Sequence, residues 1–432
     1  MKIKVCDRSF DEVMQMPAPK HFLPKKPGIF FRTLLKVVSA GELKEVGFTC
    51  EKIGMEALGK KEPCLFLMNH SSFIDLKIAS TILYPRPFQI VCTEDGLVGK
   101  KWLMRRLGCI PKKKFVSDIT LLSDMKYSFS KLHSSVLMYP EASYSFDGTA
   151  TPLPDSIGKC LKHFGVPVVM IRTYGAFSRD PLYNGLQPRK VKVSCEMKYL
   201  LSPEQIGSAT PEELNEILKK EFSFDNFRWQ QENRIRIDES FRADKLDRVL
   251  YKCSACGAEG EMVGLGDTVT CRRCKKAYRL DEYGFLRATD SKSKFDHVPD
   301  WYTWERNCVK DELARGAYHM EAEVSIYVLR DYHCIYRVGE GTLTHSEEGF
   351  HLVGCDGKLD YRQSPSASYG LYADYYWYEI GDMICIGDTK MQYYCFPKNV
   401  AGIVAKARIA AEELYKLRRQ RISSRSADAK KN

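Results

Sequence analysis

Residues 64 to 75 read C-L-F-L-M-N-H-S-S-F-I-D. The run from Cys64 to Met68 is apolar and short, which predicts a buried strand. Asn69 and then His70 follow it. Asp75 opens a helix-like run that ends before Pro85. A histidine at a strand end and a carboxylate in the next helical turn face each other, the geometry of a general base held in one tautomer by an acidic partner. In isolation the pair is more simply a strand-end histidine and a helix-start carboxylate favoured by the helix dipole. With nine histidines and 55 acidic residues in the chain, the spacing also arises by chance. The downstream blocks of the chain decide between the two.

Ser135-Val-Leu-Met138 is a second short apolar strand candidate that runs into Tyr139-Pro-Glu-Ala-Ser-Tyr-Ser-Phe-Asp-Gly148. A third candidate, Val166 to Ile171, comes after a helix-like segment. Between the first two lies Gly108-Cys-Ile-Pro-Lys-Lys-Lys-Phe115. These blocks, in this order, resemble the glycerolipid acyltransferase superfamily (PlsC-like), whose best-known members are the 1-acyl-sn-glycerol-3-phosphate acyltransferases. The resemblance covers roughly residues 30 to 200. It implies an α/β sandwich and a single-displacement acyl transfer. His70 takes a proton from an acceptor hydroxyl, and Asp75 orients the ring and stabilises the imidazolium. Backbone amides near the helix start stabilise the oxyanion. The implied donor is acyl-CoA or acyl-acyl carrier protein. The implied acceptor is a lysophospholipid, with 1-acyl-sn-glycerol-3-phosphate first, and Glu141, Ser143 and Ser145 belong to substrate binding.

The chain departs from the family pattern in two places. The third block usually reads Phe-Pro-Glu-Gly-Thr-Arg-Ser. Here Pro140, Glu141 and Ser145 match, while Ala142, Ser143 and Tyr144 replace glycine, threonine and arginine. In the family that arginine helps bind the acceptor's phosphate. The second block ends in Lys112, Lys113 and Lys114 instead of an acidic residue and an arginine. Three ammonium groups supply an anion site as point charges without the bidentate fork of arginine. The plainer reading is a solvated basic loop. The altered third block also leaves open a non-catalytic lipid-binding adaptor on an acyltransferase scaffold, or another lysolipid acceptor.

The chain has 432 residues, an apolar fraction of 44% and a net charge of +11. Two or three domains are expected. No run approaches 18 apolar residues, and the first residues lack the apolar stretch of a signal peptide, so a cytoplasmic protein is expected. Positive charge favours an anionic membrane surface. Residues 27 to 38 and 99 to 107 combine apolar side chains, Trp102 among them, with basic ones, as interfacial segments do. The alternative is that both bury their apolar side in the core.

Sixteen cysteines without an export signal point to thiols and not to a disulfide framework. Cys253-Ser-Ala-Cys256 and Cys271-Arg-Arg-Cys274 are two C-x2-C knuckles with 14 residues between them. Four thiolates at that spacing suit one closed, structural Zn2+ site in a zinc ribbon. Arg272, Arg273, Lys275, Lys276 and Arg279 give the ribbon a basic rim. No row of aromatics accompanies it for base stacking, so nucleic acid is not the expected partner.

Residues 212 to 222 and 239 to 250 have helical spacing, with Thr210-Pro211 as a start signal. After a short helix from Trp301, segments 321–329, 333–338, 350–353, 371–378, 382–387 and 391–396 read as strands, closed by a helix over 400–418. That order is similar to a pleckstrin-homology or GRAM-like barrel, in architecture only. The expected organisation begins with an acyltransferase domain carrying an N-terminal interfacial helix (1–205) and a helical connector (206–249). It continues with a zinc ribbon (250–285), a β-rich barrel-like domain (286–417) and a disordered basic tail (418–432).

Overall fold

In the computed structural model, residues 2–116, 118–290, 292–398 and 402–428 are described, without the side chains of 422–428. Strands β1 (Val5–Asp7), β2 (Thr49–Ile53), β3 (Leu65–Met68), β4 (Phe88–Thr93), β5 (Cys109–Lys112), β6 (Ser135–Met138), β7 (Val168–Tyr174) and β8 (Ser194–Leu201) come first in the chain. Of these, β2 to β8 form a seven-stranded sheet in the order β2-β8-β7-β3-β6-β4-β5. Every pairing is parallel except β7 with β8. The central strand β3 is buried throughout. Its side chains alternate between faces, with Phe66 and Met68 in one apolar cluster and Leu65 and Leu67 in the other. A strand covered on both faces by helices needs apolar residues at every position, which is why this run is short and uninterrupted.

The helix Ile29–Glu45 begins at Gly28 and packs beside the helix Asp75–Ile82. It leaves Phe30, Val37 and Val38 about two-thirds exposed, and the equally exposed Trp102 sits on the helix Lys101–Arg106. The rings of Phe31 and Trp102 meet edge to face at 6.2 Å, so both segments form one apolar surface. Among the described residues, no helix is long and apolar enough to cross a membrane.

The connector contains helices Pro203–Ser208, Pro211–Phe222 and Asn226–Glu232. Thr210 and Glu213 form the capping box of the second. Asp225 caps the third, a role its sequence context did not reveal. Residues 239–250 are not the helix expected from their spacing. They form turns, with Ala243 N–H donating to Gly266 O and Lys245 N–H to Gly264 O. The apolar residues Ala243, Leu246, Val249 and Leu250 are buried all the same. Backbone pairing to the neighbouring hairpin has outcompeted the helical ladder.

Strands β9 (Met262–Leu265), β10 (Thr268–Cys271), β11 (Ala277–Leu280) and β12 (Leu286–Ala288) make a small antiparallel sheet. The helix Val298–Ala314 packs against it through Trp301, whose ring meets Tyr278 at 4.7 Å and whose Nε1 donates to Lys252 O.

The third sheet contains β13 (Met320–Val328), β14 (Ile335–Ser346), β15 (Gly349–Gly354), β16 (Leu359–Gln363), β17 (Tyr372–Trp377), β18 (Gly381–Gly387) and β19 (Gln392–Pro397). The order is β16-β15-β14-β13-β19-β18-β17, with neighbours antiparallel. Its edge strands β16 and β17 are not paired with each other among the described residues. Two features differ from the expected strand pattern. Strand β14 runs through Gly339 and Gly341, which the sequence suggests as a divider. A Cβ at Gly341 would sit 2.4 Å from Val353 O, so glycine there permits close strand approach. Strand β16 is mostly polar, with Leu359 as its one aliphatic residue, which hid it.

From residues 5–7, β1 joins this third sheet, parallel to β14. Cys6 and Cys334 are disulfide-bonded beside it, an exception to the expectation of thiols throughout. The helix Ile403–Asp428 covers the sheet and continues well past Arg418, where disorder was expected. Residues 429–432 of that expected tail lie outside the described residues. Phe146 of the first sheet's loops stacks on Tyr375 of β17 at 4.3 Å, within one continuous apolar core that also takes in the small sheet.

Candidate active site

The strand register sets the site. In the β3–β6 pairing, Leu65 lies opposite Val136 and Leu67 opposite Met138. Continuing that offset past the strand ends brings residue 70 beside residue 141. There His70 N–H donates to Glu141 Oε2 at 2.9 Å. The other oxygen, Oε1, accepts from Thr151 N–H at 2.8 Å. Glu141 is buried with both oxygens engaged, so it ties two loops together and does not face the cavity. Burial pushes its carboxyl up to about 7.

Asp75 is the first residue of its helix, and its Oδ2 accepts from His70 Nδ1 at 3.1 Å. The same oxygen accepts from Ser71 N–H at 2.9 Å and Ser72 N–H at 3.1 Å. These two amides just before the helix therefore hold the carboxylate. Burial raises Asp75 to about 7 against the pull of the two amides. Burial, and then the Lys114 ammonium, hold His70 well below its ordinary value, as a neutral imidazole. With Nδ1 committed to Asp75, Nε2 is the nitrogen available as a base.

Both faces of the imidazole are covered. Tyr139 stacks on one at 4.1 Å between centroids, and Tyr144 on the other at 3.9 Å. Tyr144 also stacks on Phe73 at 5.3 Å, and its carbonyl accepts from the Arg408 guanidinium. The residue that displaces the family's arginine is thus a wall against the base, and a helix more than 250 positions away supports it. The histidine side chain keeps 16% of its surface, at the edge of a cavity of about 1340 Å³.

The other expected site residues divide. Lys112 and Lys114 line the cavity. Lys112 donates to Val116 O at 3.0 Å, and the Lys114 ammonium sits 4.2 Å above the Tyr372 ring. Lys113 turns away and donates to Thr389 O at 2.6 Å, docking the third sheet. Ser143 is buried against its own backbone. Ser145 holds the adjoining turn through Thr149 O and Gly148 N–H. Neither lines the cavity.

The opposite wall carries no signal in the sequence. Tyr369, Tyr372, Asp374 and Trp377 from the third sheet face the cavity together with Asp95 and Asp180 from the first domain. Tyr372 donates to Asp95 Oδ2 at 3.3 Å and accepts from Trp377 Nε1 at 2.8 Å. Ser72 Oγ donates to Asp180, which also pairs with Arg179 at 3.2 Å. Ile90, Leu121 and Met125 add apolar lining to the cavity.

Away from this cavity, the ligand atoms of Cys253, Cys256, Cys271 and Cys274 all lie within 4.8 Å of one another. Cys253 and Cys271 are buried, and Cys256 and Cys274 are exposed.

Comparison with known proteins bears on the first region alone. No curated protein matches the chain. Among solved structures, the 1-acyl-sn-glycerophosphate (LPA) acyltransferase PlsC from Thermotoga maritima is similar at 16% identity. The similarity covers 44% of this chain and 76% of that one, with a TM-score of 0.35. Residues 49–173 match the family model described as Acyltransferase. The segment that carries His70, Asp75 and Glu141 is thus an acyltransferase-family match, and it ends within β7.

Proposed function

We propose that this protein transfers a fatty acyl group from an acyl thioester to a hydroxyl of a lysolipid. The observation that carries this is the His70–Asp75 pair, within the matched segment, opening on a large and mainly apolar cavity. In this reading His70 Nε2 takes the acceptor's hydroxyl proton as oxygen attacks the thioester carbonyl. Asp75 stabilises the imidazolium that forms. Collapse of the tetrahedral intermediate breaks the C–S bond, and the thiolate leaves with the proton from His70. The apolar lining of the cavity, with Ile90, Leu121 and Met125, suits an acyl chain. The exposed surface at Phe30, Val37, Val38 and Trp102, with the charge of +11, supports peripheral binding at the cytoplasmic face of an anionic membrane.

One structural zinc ion belongs to the same proposal. A tetrahedral zinc with Zn–S of about 2.3 Å separates its sulfurs by roughly 3.8 Å. Here the Cys253–Cys274 sulfurs are 3.7 Å apart and the Cys256–Cys271 sulfurs 3.8 Å. Elemental analysis should return one zinc per chain, and Cys271→Ser should lose it. Metal-free wild-type protein that keeps the small sheet intact would refute the site.

The transfer is tested with purified protein, a radiolabelled acyl thioester and a panel of lysolipids. Labelled diacyl product from the wild type and none from His70→Ala supports the reading. Lysolipid binding without transfer by the wild type would favour the adaptor, a reading that gains from the two tyrosines stacked on the base.

A further inference from the structure

The cavity at His70 carries more acidic than basic groups. Among the described residues that line it, seven are carboxylic acids and four are cations. One of the cations, Arg419, pairs with Asp155. Lys114 is partly buried and interacts with Asp374 and Asp95. Asp374 is about nine-tenths buried and Asp95 is 3% exposed. The Oδ1 atom of each is buried without a hydrogen-bond partner. A buried acceptor atom left unsatisfied is costly, so a group that reaches these atoms should donate hydrogen bonds. A bare phosphomonoester brings about −1.5 to −2 charge and acceptor oxygens, which meet like charge here. Lys114 offers one cation, enough for the single charge of a phosphodiester.

We propose, resting on the acyl-transfer reading, that Asp374 and Asp95 form a headgroup subsite for hydrogen-bond donors. The acceptor is then a lysolipid whose headgroup ends in an ammonium or hydroxyls, and not a lysophosphatidate. Asp374 comes from β17 and Asp95 from the loop after β4, so the subsite exists only where the third sheet meets the catalytic one. Lys114 is in electrostatic reach of both the subsite and His70.

The test compares lysophosphatidylethanolamine, lysophosphatidylglycerol and lysophosphatidate as acceptors for the full-length protein. An ammonium-bearing or a polyol-bearing acceptor should exceed lysophosphatidate at least tenfold in kcat/KM, and which of the two wins identifies the donor. Asp374→Asn should raise KM for the preferred acceptor about tenfold and leave the acyl-donor KM within twofold. Asp95→Asn provides a second variant should the first fail to fold. Equilibrium binding of the same three lipids to His70→Ala protein reads headgroup choice without chemistry. If no transfer occurs but this order of binding holds, the acyl-transfer reading fails and the subsite stands. Lysophosphatidate as the preferred lipid in both formats, or an unchanged acceptor KM in folded Asp374→Asn and Asp95→Asn, overturns the subsite.

Discussion

The first and third sheets meet at one cavity but contribute to it by opposite means. The first is parallel except between β7 and β8, and its strands β3 and β6 end together, so they deliver His70 and Glu141 side by side from a single register. The third is antiparallel, and one face of β17 with its flanking loops supplies Tyr372, Asp374 and Trp377 as a wall. In the proposed reading, chemistry is concentrated where strand ends converge, as is usual for parallel α/β sheets. Selectivity, in the reading proposed here, lies on a strand face from elsewhere in the chain. Substitutions in the first region should therefore alter turnover, and those in the second should alter acceptor affinity.

The largest test of that division is His70→Ala. A positioned base contributes about 10²- to 10⁴-fold, so kcat should fall by that factor while lysolipid binding persists. A fall in binding with unchanged kcat would invert the roles given to the two sheets.

A smaller effect is expected at Tyr144, which acts through His70. Loss of a stacked ring costs about 0.5–1.5 kcal/mol, so Tyr144→Ala should slow kcat roughly three- to tenfold. Its ring also shields the imidazole, so the acid limb of the pH–rate profile should move upward as His70 is hydrated. Tyr144→Phe should restore both, because the ring and not the hydroxyl makes the contact. A profile that stays in place in the alanine variant would reduce Tyr144 to a packing residue.

Acidity distinguishes the regions less sharply. Burial raises Asp75, Glu141 and Asp374 to about 7 and Asp180 to about 6, from ordinary values of 3.8 for aspartate and 4.5 for glutamate. The folded state therefore binds more protons than the unfolded chain between about pH 4 and 7. The stability this contributes is fully present below about pH 4 and is lost as pH rises through 7. Other groups add to the total, so the test is differential. Asp374→Asn should flatten the fall in stability between pH 5 and 8 by at most one proton, or about 1.4 kcal/mol per pH unit. A denaturant midpoint series at several pH values reads this directly, and a parallel-shifted curve would place Asp374 outside the titrating set.

The least effect is expected at Lys113. Its ammonium docks on the carbonyls of Thr389 and Lys390, so Lys113→Ala should leave the acceptor KM within twofold and cost about 1 kcal/mol of stability or less. A tenfold rise in KM would return this lysine to the substrate.

The central strands β3, β6 and β7 were legible because each holds a short apolar run, and the motif residues sit just past the ends of the first two, whereas β2, β4, β5 and β8 mix polar and apolar residues and were not read as strands. The four cysteines were legible because their spacing is short and local. The mouth of the cavity was not legible, since Tyr372 and Asp374 lie about 300 positions from His70 and carry no local pattern. Tyr144 could have been found. It appeared only as a missing arginine, although an aromatic residue next to a predicted base suggests ring stacking. The lysine triplet misled in part because adjacent residues of an extended segment point to opposite sides, so Lys113 could not share a target with Lys112 and Lys114.

The pairing of β1 with β14 has a consequence for how the chain is made. Val5 lies opposite Ile335, and Cys6 is bonded to Cys334 across 328 positions. At about 5–20 residues per second, residues 5–7 leave the ribosome roughly 20 s to a minute before their partner strand exists. The parallel sheet, whose strands are complete by Leu201, can close during that interval while β1 waits unpaired. Residues 5–7 then find their place long after they are made, and the wall that the third sheet gives the cavity is added after the sheet that carries His70.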